Sequence, residues 1–574
     1  MDPTLLTDPN LVIKLGFELQ KRIGLLPVVE VHAFHLEAQP GEIVRMLLVQ
    51  PQSYSEIARV VRAARTMKLT VRGCGHRTGG DSAIYGTAST VLIDCTALAD
   101  SPRLEFVNIK RKGEDEETKG LRVLACVSIN ELVQFQVSHC IEVAQSVETT
   151  SVWGTVVGAV TSTTPGIVGP AGGARGACLS DEVICIRIVD CHGDLIQYSS
   201  DEELACALST MGLLGIVYDI TLRYTPISLS RVNFSFVRWS ELLTLDNKIL
   251  ISSIRDNQFT ELIYLPYNSC DMEEQDTVET NCWKAKNDEV IMRTGRKLVQ
   301  PQSSSGETLV ERTSEPRQVV HVIDRVFGPE MKEFVSNVMK TPWLLGRAHH
   351  HLRCRFQPEP TTIQYTPWAV NSLGKMVDPL RILRFSFQLS PDLKEFPTIM
   401  NTIFELIERQ ANGDTRYRKN YALNLGIRVH FTGGTTTGRL LGVGFQPASE
   451  GSAILAHLTF TGITAPGPSA MWTRAANHIT TVLLRDIPQS IPQWKTEWHG
   501  IEMIKAKFRE ALDRQLEPLN RLAAIADRDG VFLNELLASI LYPEPTFYQK
   551  LYAAQRNDVL ARVAQDLAAC LAKH

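Results

Sequence analysis

The sequence predicts an α+β fold built as two units, and three observations carry that expectation. Two turns rich in small residues, "VRGCGHRTGG" at 71–80 and "GTVVGAVTSTTPGIVGPAGGARG" at 154–176, are each followed by short strand-like runs. Farther along, β-like runs flank the amphipathic segment "FPTIMNTIFELIERQ". Beyond residue 500 helical periodicity dominates, beginning with "IEMIKAKFREALDRQLEPLNRLAAIAD".

Taken in order, residues 54–69 carry Ile57, Val60, Val61, Ala64 and Met67 at helical spacing and lead straight into the strand "LTVRG". "STVLIDCTAL" and "LRVLACVSIN" read as two further β-rich runs. Between 183 and 224 strands recur, with a hairpin signal at His192-Gly193-Asp194 and clean alternation in "GIVYDITLRY". From 226 to 320 the sequence looks irregular, and the polar "NDEVIMRTGRKLVQPQSSSGETLVERTSEPRQ" reads as a mobile surface excursion near 285–318. "LRILRFSFQLS" and "YALNLGIRVHFTGG" predict a second domain whose sheet is covered by helices. The expected division is an N-terminal extension (1–45), a nucleotide-binding unit (46–226), a substrate domain (227–490), a segment returning to the first unit (491–542) and a C-terminal helix (543–574).

Composition bounds the function. The chain has 574 residues, 44% of them hydrophobic and 21% charged, as in a soluble globular protein. Its net charge is −4, from 59 basic and 63 acidic side chains, which argues against a general binder of nucleic acid or anionic membrane. The 12 cysteines form no C-x-x-C pair and no zinc-like spacing, so free thiols in a reducing compartment are expected. No signal peptide or apolar membrane span is read, and the expected location is cytoplasmic. His349 and His351 of the "HHH" at 349–351 share a strand face but lack an acidic or cysteine partner at ligand spacing, so no metal is expected.

Gly73, Gly75 and Gly79 give G-x-G-x-x-x-G, one residue longer than the dinucleotide fingerprint. A Rossmann turn opens into a helix that faces the pyrophosphate, whereas here a strand follows. No Gly-Lys-Ser/Thr follows, so a P-loop fails too. What remains is a glycine turn able to form an anion nest, or a tight loop holding an ordinary polar histidine. The second turn, with the hydroxyls of Thr161, Ser162 and Thr163, would let one extended ligand lie across both backbones.

With these motifs the chain resembles the flavoproteins of the vanillyl-alcohol oxidase type, closest to the aldonolactone and alditol oxidase branch. "VQPQSYSEIARVVRAARTMKLTVRGCGH" is similar to that family's helix, strand and Gly-x-Gly-His loop, and "TVVGAVTSTTPG" to its second FAD loop. "LSDEVICIRIVDCHGDL" and "MGLLGIVYDITLRY" resemble the closing strands, and "DRDGVFLNELL" the C-terminal Asp-x-x-Gly-x-Phe-x-Asn signature. The resemblance implies a PCMH-type, non-Rossmann FAD domain followed by a substrate domain with a central antiparallel sheet. It implies FAD contacts at Arg72, Gly73, Cys74, Gly75, His76 and Arg77, at Gly158, Thr161, Ser162 and Thr163, at Gly215, Ile216 and Val217, and at Asn534. His76 is the position of the family's covalent flavin link, with noncovalent FAD as the alternative.

The implied reaction is oxidation of a CH–OH group by hydride transfer to flavin N5, with dioxygen or another acceptor reoxidising the flavin. The implied partners are a small-molecule alcohol substrate and that acceptor. The branch's Glu-x-Arg pair appears here as "LGIRVHF": Arg428 is kept, Gly426 replaces the glutamate, and His430 lies on the same strand face. The family's His-Trp-Gly-Lys segment becomes "TEWHGIE" with Glu497 and His499, or "PQWKT" with Gln493 and Lys495. "TTPG" at 163–166 replaces the common Thr-His-Gly. These departures argue against a simple sugar lactone and point to a different or more apolar alcohol, a hydroxy acid or a cyanohydrin-like substrate, with an aldonolactone or polyol kept as alternatives. They also keep open a protein of this fold that has lost turnover and serves in binding or structure.

Overall fold

The computed structural model describes residues 9–24, 26–34, 43–75, 90–147, 154–162, 164–208, 212–244, 247–266, 268, 284–298, 361–371, 380–412, 426–434, 454–463, 470–493, 501–512, 522–523, 525–527, 529–534 and 537–538. The first unit begins with the helix Pro9–Ile23 and the strands β1 (Val28–Phe34) and β2 (Ile43–Val49), then the helix Tyr54–Thr66, β3 (Thr70–Cys74) and β4 (Thr90–Asp94). These strands form a mixed sheet in the order β1-β2-β4-β3, with β4 parallel to both β2 and β3. The helix Tyr54–Thr66 is capped by the Ser53 side chain and buries Ile57, Val60, Val61 and Ala64, the stripe its spacing predicts. The N-terminal residues differ from the extension expected. Val12, Leu15, Leu19 and Ile23 enter the same core and β1 completes the sheet, because this helix too carries an apolar stripe.

A second sheet of this unit is antiparallel. It contains β5 (Leu104–Lys110), β6 (Glu117–Leu124), β8 (Val183–Val189), β9 (Leu195–Tyr198) and β10 (Ile216–Leu222), ordered β5-β6-β10-β8-β9. The β8–β9 connection turns at Gly193, where Asp190 Oδ1 accepts from His192 N and Asp194 N. A short pair, β7 (Ile141–Glu142) with β11 (Thr225–Pro226), lies where the chain leaves the unit. Ile504, Ala526, Val531, Phe532, Leu533 and Leu537 from the far end of the chain pack into this first core.

The second core belongs to an eight-stranded sheet. Its strands are β12 (Leu229–Arg238), β13 (Phe259–Tyr264), β14 (Glu289–Leu298), β15 (Thr361–Tyr365), β16 (Leu380–Leu389), β17 (Gly426–Gly433), β18 (Ile454–Ile463) and β19 (Ser490–Pro492). They run β15-β12-β14-β13-β17-β18-β16-β19, every neighbouring pair antiparallel. One face (Leu262, Leu383, Phe385, Phe387, Val429, Phe431, Leu458, Phe460) is packed beneath the helices Phe396–Asn412 and Ala470–Asp486. The expected polar excursion at 285–318 is corrected here: residues 289–298 are β14, an interior strand between β12 and β13. "EVIMRTG" alternates on its own, and the polar run after it hides that pattern in a longer window. Residues 299–318, the 349–351 histidines and the 543–574 helix lie outside the described residues. Among the described residues no helix is long and apolar enough to cross a membrane, and no cluster has the makings of a metal site.

Candidate functional site

The two small-residue turns meet. A Cβ added to Gly75 would stand 2.8 Å from Thr155 Cγ2, so the backbones approach more closely than any side chain at 75 allows. Thr155 caps the short helix Val156–Thr161, its Oγ1 accepting from Gly158 N at 3.1 Å. Gly73 lies against Ile216 at the start of β10, where Gly215 backs onto the Val189 carbonyl and Val217 is half-buried. Cys74 is buried at the end of β3. Thr161 Oγ1 and Ser162 Oγ donate to the carbonyls of Val157 (2.9 Å) and Gly158 (2.6 Å), so their protons are committed locally and their oxygens remain acceptors. His76, Arg77 and Thr163 lie outside the described residues.

The C-terminal signature closes this region from behind. Arg72, buried on β3, donates Nη1 to the Phe532 carbonyl at 2.7 Å, and Val71 N donates to Val531 O at 2.7 Å. Asp527 accepts from Val531 N at 2.7 Å and Phe532 N at 2.9 Å, and burial pushes its pKa up to about 7. Asn534, also buried, accepts from Leu537 N at 2.8 Å. A surface of backbone and small residues drawn from three parts of the chain fits an extended dinucleotide, and offers no room for a bulky side chain at 75.

The eight-stranded sheet presents its other face to this unit. Gly169 N donates to Gln258 O at 2.7 Å, Ile167 and Val168 pack with Val232 and Phe259, and Ala177 and Cys178 pack on Leu455. Across that face runs a row of polar side chains in direct register: Arg293 (β14), Glu261 (β13), His430 (β17), His457 (β18) and Ser386 (β16). All five are at most 2% exposed, an unusual burial for charged groups unless paired. Arg293 Nη1 donates to Glu261 Oε2 at 2.9 Å, and Glu261 Oε1 lies 3.7 Å from His430 Nδ1. Burial lowers the Arg293 pKa from its ordinary value, Glu261 opposes this, and Arg428 adds a push in the same direction as burial.

On the far side of His430, His457 is clamped between hydroxyls, Nδ1 to Ser386 Oγ and Nε2 to Thr432 Oγ1, each at 2.7 Å. Gln493 Nε2 donates to Ser386 Oγ at 2.7 Å. The assignment that uses every group has Ser386 donating to Nδ1 and the Nε2 proton going to Thr432. Arg428 and His430 therefore share the polar face, as period-two alternation predicts, with Arg428 half-buried and its register partners Ile263 and Thr459 beside it. Lys495, Glu497 and His499 lie outside the described residues.

Sequence reasoning missed Glu261, Arg293, His457, Ser386 and Thr432, and singled out Gln493 only as a residue of "PQWKT". The available signal was a lone polar side chain inside an apolar run, as in "FTELIY" and "AILAHLTF".

With its small-residue turns packed beside a sheet that carries buried polar groups, the chain has the fold of solved cholesterol oxidases. Cholesterol oxidase from Brevibacterium sterolicum superposes with a TM-score of 0.63 at 12% identity, over 90% of this chain and 97% of that one. A solvent-stable cholesterol oxidase gives 0.62 at 13% identity, over 90% and 98%. A Neurospora crassa protein named "Putative D-arabinono-1,4-lactone oxidase" is 24% identical over 239 residues, 38% of this chain. The chain spans only 36% of that relative's length. No protein-family model matches the sequence.

Proposed function

We propose that the protein is an FAD-dependent oxidoreductase that oxidises a CH–OH group of a small alcohol, hydroxy acid, polyol or aldonolactone, with reoxidation by dioxygen giving hydrogen peroxide. The observation that carries this reading is the buried polar row containing His430, beside Arg428 on the sheet face that meets the unit with the two small-residue turns. FAD, when bound, supplies the hydride acceptor. The backbone of residues 73–75 and 158–162, with Ile216, Val217 and Asn534, would hold it, and His76 is the proposed tether.

The chain's own side chains do the rest. His430, buried and neighbour to a carboxylate, takes the substrate hydroxyl proton at a ring nitrogen. Arg428, two residues away on the same face, steadies the negative charge that develops on that oxygen. Burial keeps water from the proton transfer and strengthens both effects.

Acid precipitation of the purified protein tests the cofactor half of this reading. Yellow colour that stays with the pellet, and leaves it in His76→Ala, establishes FAD and its tether. Colour released to the supernatant keeps FAD and removes the tether. A colourless protein that takes up no added FAD overturns the cofactor.

A further inference from the structure

One carboxylate in the polar row has no part in the reaction as described. Glu261 sits on β13 directly opposite His430 on one side and Arg293 on the other. Its two oxygens are divided between them: Oε2 takes the Arg293 Nη1 hydrogen bond at 2.9 Å, and Oε1 faces His430 Nδ1 at 3.7 Å. Arg293 is itself immobilised, donating Nη2 to the Ala369 carbonyl and lying 4.7 Å from the centre of the Phe259 ring. A carboxylate gripped through one oxygen by a fixed guanidinium presents the other in a fixed direction, and that direction is the imidazole.

The strand bearing His430 cannot supply such a group itself. Gly426, two residues before Arg428 on the same face, has φ +88°, and a Cβ there would stand 2.2 Å from the Tyr264 carbonyl oxygen. No side chain fits at 426. Glu261, opposite His430 and diagonal to Arg428, brings an acid to that face from the neighbouring strand.

We propose that Glu261, held by Arg293, is a positioning residue that keeps the His430 proton on Nδ1 and leaves Nε2 to accept the substrate's hydroxyl proton. The role of His430 as base is taken from the functional reading above. The separation of 3.7 Å is longer than a hydrogen bond, and the proposal has the two groups close to hydrogen-bond distance.

The tautomer can be read without any substrate. In the protein as purified, labelled with 15N-histidine and held at about pH 8, where an ordinary imidazole is neutral, the His430 signals are those lost in His430→Asn. The expected result is a proton on Nδ1 and a bare Nε2. In Glu261→Gln the amide oxygen stays with Arg293 and the amide NH2 turns to Nδ1, so the proton moves to Nε2. Glu261→Asp, which keeps the charge, retains the Nδ1 proton. A wild-type His430 protonated on Nε2 or on both nitrogens, or a Glu261→Gln spectrum unchanged from wild type, overturns the proposal. Failure of every alcohol to reduce the flavin would count against the functional reading alone, because the tautomer measurement involves no turnover.

Discussion

Two buried carboxylates, one in each unit, are used in opposite ways. Asp527 in the first unit accepts from Val531 N and Phe532 N and so shapes the turn whose carbonyls accept from Val71 N and Arg72 Nη1 of β3. Glu261 in the second accepts from a guanidinium and faces an imidazole. Backbone donors fix a fold, whereas ionisable side chains can also exchange protons with a ligand. Burial alone therefore does not mark a functional acid, and the chemistry of its partners does.

The largest effect that would separate the two sites is on stability when Glu261 is truncated. Glu261→Ala leaves Arg293 buried without its anion and is expected to cost about 3–5 kcal/mol in urea unfolding. Glu261→Gln, which also removes the charge but keeps an acceptor for Arg293, should cost less. An equal loss in both variants would mean that the lost charge accounts for the whole cost and the hydrogen bond for none of it.

The second separation is by pH. The Asp527 pKa is raised from 3.8 to about 7 by burial, so the folded state binds this proton more tightly than the unfolded chain. Its contribution is complete below about pH 4 and is lost as pH rises toward 7. Asp527→Asn should therefore lose less stability than wild type between those two pH values in parallel unfolding curves. Parallel curves would show that burial does not raise the Asp527 pKa above its unfolded value.

Smaller effects belong to the neighbouring residues. Gly75→Ala drives a methyl into Thr155 and should cost about 1–3 kcal/mol, seen as a lower melting temperature and less bound flavin. Ser386→Ala removes a hydrogen-bond partner from both His457 and Gln493 and should cost about 1–2 kcal/mol, with flavin content unchanged.

How far these features could be read beforehand follows the range of the interactions involved. The helix Tyr54–Thr66 and β3 declare themselves through local periodicity and the Ser53 cap, so they were readable residue by residue. The turn at 73–75 showed its small residues, but its contact with Thr155 depends on how distant segments pack. Arg428 and His430 could be placed on one face because alternation is local. Their neighbours Glu261 and His457 could not, since register between strands separated by long segments is a tertiary outcome. Gly426 shows the limit most clearly: in sequence it is a missing acid, and in the fold it is a residue that must lack a side chain.

Anaerobic spectroscopy of the FAD-loaded protein against a panel of polyols, aldonolactones, hydroxy acids and other alcohols decides whether the site oxidises a CH–OH group. The prediction is that at least one compound bleaches the flavin band in the wild type. His430→Asn, with the same flavin content, should do so about 10²- to 10⁴-fold more slowly, the usual worth of a general base. A bound flavin that no compound in the panel reduces, or a His430→Asn variant that reduces at the wild-type rate, would contradict it.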